Sequence, residues 1–151
     1  MKLTRKILSI ITVSALIFTL FALPVTNADG QKLFVYIGST DAKFNDKIIK
    51  IDENPEVSPF IKDSRTMVPL RFISEQLGFK VNYNDESRQA LIARGNNTVA
   101  VTIDSDIISV NGQDFTLDAK AEIRGSRLFI PLRSISEALG YEVFYDRGVV
   151  A

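Results

Sequence analysis

After a basic start of Lys2, Arg5 and Lys6, the chain runs uncharged and apolar from Ile7 to Leu23, and no later stretch is apolar for so long. Beyond it the apolar residues come in short bursts. Leu33 to Ile37, Ala42 to Asn45 and Lys47 to Ile51 are parted by Gly38-Ser39-Thr40-Asp41 and Asn45-Asp46. Runs of that length between turn residues predict strands. The same spelling returns at Thr98 to Ile103, Ile107 to Val110 and Phe115 to Leu117. Asn111-Gly112 inside it predicts a type I′ hairpin, since both residues tolerate positive φ.

Two stretches change period. Leu70, Ile73 and Leu77, and likewise Leu132, Ile135 and Leu139, recur at helical spacing. Each set gives a helix with one apolar stripe laid on a sheet. Pro69 and Pro131 are expected in the first helical turn, and Gly78 and Gly140 at left-handed C-terminal caps. After each glycine the period becomes two. Phe79, Val81 and Tyr83 alternate with Lys80, Asn82 and Asn84, which predicts a strand with one buried face. By the same alternation Tyr141, Val143 and Tyr145 share one face of the second post-helix strand, and Phe144 stands on the other. An apolar strand, Gln89 to Ala93, closes the first set.

These elements occur twice because the sequence does. Residues 65–84 return 62 positions later as 127–146, with 11 of 20 positions identical. At the turns the offset is 66, from Asn45 to Asn111. The first copy therefore carries four extra residues, placed in Glu53 to Ser64, where Pro55 and Pro59 mark a loop. The expected fold class is α+β: a tandem-repeated unit of antiparallel strands wrapped around one short helix per repeat, at about 33–94 and 98–151, the second cut short.

Composition adds an address. A basic start, an uncharged run and Pro24 ahead of Thr26-Asn27-Ala28 form an export signal over residues 1–28, with cleavage before Asp29. A short uncleaved anchor is the alternative. Residues 29–151 then make one domain with 15 Lys plus Arg against 18 Asp plus Glu, a net charge of −3. That balance disfavours nucleic acid, which needs clustered positive charge. The absence of Cys leaves an exported domain of this size to be held by its apolar core. No membrane-spanning run follows Leu23.

"SRTMVPLRFISEQLGFKVNYN" (64–84) and "SRLFIPLRSISEALGYEVFYD" (126–146) resemble the paired motifs of the copper amine oxidase N-terminal domain-like family, stalk domains of exported bacterial proteins. The resemblance covers nearly all of residues 29–151. It implies a noncatalytic structural or spacer module of the cell envelope, with cell-wall polymer or another envelope protein as partner. An aromatic often found as Trp in that family is Tyr83 and Tyr145 here. Copper amine oxidase chemistry itself is not expected: copper wants imidazole ligands, and the chain has no His. No cofactor, metal site or catalytic residue is expected. Asn82-Tyr83-Asn84-Asp85 superficially matches the setting of the cofactor tyrosine, but Tyr83 reads as a core-edge aromatic.

The repeated polar residues are the remaining candidates for interaction. Arg71 with Glu75, and Arg133 with Glu137, lie four apart on a helix face. Each pair either stabilises its helix or offers a guanidinium to an anion or a glycan carboxylate. Phe144, where the first copy has Asn82, is a candidate exposed anchor. The alternative function is an accessory domain that binds cell-wall glycan or peptide and targets a hydrolase. Such a binder should expose aromatics on one concave face, whereas a spacer should bury them.

Overall fold

A computed structural model describes residues 30–146 with 149 and 150; the export signal read at 1–28 lies outside these residues. The chain runs β1 (Leu33–Tyr36), β2 (Asp41–Phe44), β3 (Lys47–Lys50), β4 (Phe60–Lys62), β5 (Arg65–Pro69), α1 (Leu70–Gln76), β6 (Lys80–Asn84) and β7 (Gln89–Arg94). It continues through β8 (Asn97–Thr102), β9 (Ile107–Val110), β10 (Gln113–Thr116), β11 (Glu122–Arg124), β12 (Arg127–Pro131), α2 (Leu132–Ala138), β13 (Tyr145–Asp146) and β14 (Val149–Val150). Mostly antiparallel strands with two short helices make this an α+β fold.

The duplicated segment builds its own symmetry. In the four-stranded sheet β11-β12-β5-β4, the equivalent residues Val68 and Ile130 face each other, with Met67 opposite Pro131 and Pro69 opposite Phe129. A local twofold therefore passes through the middle of the β5–β12 ladder. The edge strands also meet through side chains: Arg124 lies 4.2 Å over the Phe60 ring, and Lys62 pairs with Glu122. The twofold exchanges these two contacts.

The five-stranded sheets are assembled across the duplication. β13-β14-β1-β2-β3 joins the opening strands of the first copy to the closing strands of the second, and β10-β9-β8-β7-β6 does the reverse. One core cluster spans all three sheets and both helices. Val35 represents the first five-stranded sheet, Ile92 and Val101 the second, Met67 and Phe129 the four-stranded sheet, and Ile73 and Ile135 the helices.

Local chemistry explains the helices' limits. Leu70, Ile73 and Leu77 are buried, as are Leu132, Ile135 and Leu139, so the apolar stripes face inward as expected. Gly78 and Gly140 adopt φ of 82° and 87°. They close matching Schellman caps, Phe79 N–H to Ser74 O at 2.9 Å and Tyr141 N–H to Ser136 O at 2.8 Å. Asn111 and Gly112, at φ 52° and 83°, form the expected type I′ hairpin.

Three expectations are corrected, and two hairpins are added. Pro69 and Pro131 end strands and act as N-caps, with ψ of 119° and 124°; the helix starts one residue later. Proline's fixed φ suits both roles, and pairing across the twofold keeps ψ extended. The Glu53 to Ser64 loop contains β4, and its Val57 and Pro59 are buried. Two hairpins escaped the pattern, turning at Asp63-Ser64 and Gly125-Ser126 with positive φ at all four residues. Finally, residues 141–144 are irregular, and only Tyr145–Asp146 is strand. Among the described residues no strand pairs with 141–144, and alternation alone does not make a strand.

Candidate functional site

α1 projects Arg71 and Glu75 from its exposed face. Arg71 Nη1 lies 3.3 Å from Glu75 Oε1 and donates to Val81 O at 3.4 Å. On α2, Arg133 Nε is 4.0 Å from Glu137 Oε1, and the guanidinium rests 5.3 Å from the Tyr145 ring centroid. Both pairs are about half exposed, where such contacts contribute a few tenths of a kcal/mol. The helices bring each Arg to its Glu, but the two pairs face separate clefts.

The larger cleft, about 760 Å³, runs beside α1. Arg71, Glu75, Lys50, Tyr83, Arg88 and Ile123 wall it. Arg88 is tied to Asp104 at 2.8 Å. The cleft on α2, about 380 Å³, uses equivalent positions: Thr116, Leu117 and Asp118 stand where Lys50, Ile51 and Asp52 stand in the first. The first cleft thus offers cations beside an aromatic, a chemistry suited to holding an anionic group.

At the floor of the larger cleft is a pair that the sequence reading passed over. Arg127 grips Asp52 with a two-pronged contact, Nε to Oδ2 at 2.6 Å and Nη2 to Oδ1 at 3.0 Å. Asp52 Oδ1 also accepts the Asn54 N–H at 2.9 Å. The Arg127 hydrogen bonds hold the Asp52 carboxyl below its ordinary range, partly opposed by burial, and Arg127 is raised in turn. The twofold repeats the contact as Arg65 Nε to Asp118 Oδ2 at 2.8 Å. Each joins one copy's helix-leading strand to the other copy's post-hairpin loop. The signal was present: Ser-Arg opens both repeated blocks, and Asp52 and Asp118 share the turn offset of 66.

The three aromatics that should separate binder from spacer are exposed, Tyr83 by 43%, Tyr145 by 51% and Phe144 by 64%. They do not form one face. Tyr83, expected at the core edge, is a wall of the α1 cleft, Tyr145 lies beneath Arg133, and Phe144 borders a third groove. Only Phe79 and Val81 of the alternating set turn inward; burial fades toward the end of β6.

Among the described residues no group of three or more His, Cys, Asp or Glu converges, and no helix is long and apolar enough to cross a membrane. Antiparallel sheets built from a duplicated segment, with two short helices and arginines tied to carboxylates, define an α+β domain. The family model of the copper amine oxidase N-terminal domain matches residues 54–150, and the chain belongs to that family. The family's domain is noncatalytic and stalk-like. No curated protein matches the chain. The donor set does not fit copper, because the sequence has neither imidazole nor thiolate.

Proposed function

We propose that the chain is an exported, noncatalytic stalk or spacer module of the bacterial cell envelope, with antiparallel strands wrapped around one short helix per repeat. The observation that carries this reading is how the repeated arginines are used. Arg65 and Arg127 bind Asp118 and Asp52 across the duplication, while Arg71 and Arg133 face Glu75 and Glu137 on their own helices. The arginines that recur in both copies thus each face a carboxylate of the chain itself. The intact mass of the secreted product tests the address: it should begin at Asp29, and a membrane-retained form carrying residues 1–23 would contradict it.

The larger cleft favours a second reading, an accessory domain that binds cell-wall glycan or peptide and targets a hydrolase. Arg71 and Tyr83 there could engage a carboxylate and a sugar face. Arg71→Ala decides between the two. In a spacer, attachment to isolated cell wall falls only as the melting temperature falls. Loss of attachment at an unchanged melting temperature makes Arg71 a recognition residue.

A further inference from the structure

The two helix clefts have diverged although the twofold relates them. Beside α1, Arg71 spends only Nη1 inside the chain, at 3.3 Å from Glu75 Oε1 and 3.4 Å from Val81 O. Among the described residues its Nε and Nη2 have no hydrogen-bond partner. A guanidinium carries five N–H donors, and its Nε–Nη2 edge is a flat fork that matches the two oxygens of a carboxylate. The same cleft holds an example of that match: Arg127 uses its Nε and Nη2 on Asp52, at 2.6 and 3.0 Å. The fork of Arg127 is therefore filled from within, and that of Arg71 is open.

On α2 the equivalent arginine is arranged otherwise. Arg133 has Nε 4.0 Å from Glu137 Oε1, and its guanidinium lies 5.3 Å from the Tyr145 ring centroid. Tyr83 holds the place of Tyr145 beside α1 but carries no stacked cation among the described residues. It shares a sheet face with buried Ala90, opposite it on β7, so its side chain walls the cleft. Half-exposed Ile123 adds an apolar wall. Lys50 differs too: Thr116 stands in its place in the α2 cleft, and Lys50 has no carboxylate partner among the described residues. The cleft lies away from where β1 begins and β14 leads. β1 starts at Leu33 and β14 runs toward it, whereas Lys50 is paired with Asp41 at the other end of that sheet.

We propose that the α1 cleft is a site for a sugar bearing a carboxylate, one per chain. Arg71 holds the carboxylate on its Nε–Nη2 fork, Lys50 adds the second positive charge, and Tyr83 with Ile123 packs on the apolar face of the sugar. The inference rests on the reading of this cleft as a binding site and names its ligand class. A volume of about 760 Å³ is ample for a disaccharide. A single carboxylate fits better than a phosphate. A doubly charged phosphate would draw on clustered cations, and the other two arginines of the cleft, Arg88 and Arg127, are already tied to Asp104 and Asp52.

The probe is the disaccharide N-acetylglucosaminyl-N-acetylmuramic acid, titrated into the full chain by calorimetry beside diacetylchitobiose, the same sugar pair without the lactyl carboxylate. The acid should bind one per chain and about tenfold or more tightly than the neutral sugar, the worth of one charge-assisted contact. Its affinity should fall with salt. Arg71→Lys keeps the charge and removes the fork, and should erase most of that preference at an unchanged melting temperature. Lys50→Thr, which installs the α2 residue, should weaken binding of the acid alone. Four results overturn the proposal: equal binding of the two disaccharides, no binding of either, a preference that neither substitution moves, or a tighter hold on glucose 6-phosphate than on glucuronic acid. Attachment of the same variants to isolated cell wall separates this inference from the accessory-domain reading. Attachment that persists without a carboxylate preference overturns the inference and leaves that reading standing, whereas a carboxylate preference without attachment supports the site and overturns that reading alone.

Discussion

At the scale of single residues, the charge pair that matters most is Arg127 with Asp52. Its carboxylate is 14% exposed, against 50% for the twin Asp118. Asp52→Ala should therefore cost about 1–2 kcal/mol by urea unfolding, and Asp118→Ala below about 1. The pair also makes stability depend on pH. A carboxyl depressed in the folded state contributes stability above its unfolded pKa, about 3.9, and loses it as pH falls through the lower folded value. Melting temperature should fall as pH drops below about 4, and Asp52→Asn should flatten that fall; an unchanged acid profile would remove Asp52 from the account. Copper titration by calorimetry should show no stoichiometric site of micromolar affinity or tighter. The sequence announced Arg71 and Arg133 because helical spacing places each beside a Glu. It concealed Arg127 and Asp52, because partners 75 residues apart meet only once the twofold is known.

At the scale of elements, the two helices are legible because burial and spacing agree. Leu77 and Leu139 are 4% and 6% exposed. Replacing either by Ala should cost roughly 2–5 kcal/mol in urea unfolding, the usual range for a buried Leu, and a loss below 1 kcal/mol would show that the stripe does not carry the core. The hairpins divide for a physical reason. Asn111-Gly112 could be read directly, since both residues accept positive φ cheaply. Asp63-Ser64 could not: Ser at φ 60° is held there by the ladder between β4 and β5 rather than by its own preference. The post-helix strands differ likewise. Sequence alternation is the same in both copies, but β6 lies along β7 and residues 141–144 lie along a groove.

For the whole molecule, repetition in the sequence announces two units, whereas the sheets are built across them. Each five-stranded sheet takes strands from both copies, the Val68–Ile130 ladder joins the halves, and one core cluster runs through all of them. Periodicity shows each strand's faces but not its neighbour, so this exchange was not readable from the pattern. It implies that neither copy unfolds alone. The direct measurement is native-state hydrogen exchange across a urea series, following the amides of Val68, Ile130, Val99 and Val101. If the halves are interlocked, all four converge on one opening free energy, equal to that of global unfolding. A second sheet that opens in its own earlier step, while Val68 and Ile130 stay protected, would contradict a single interlocked domain.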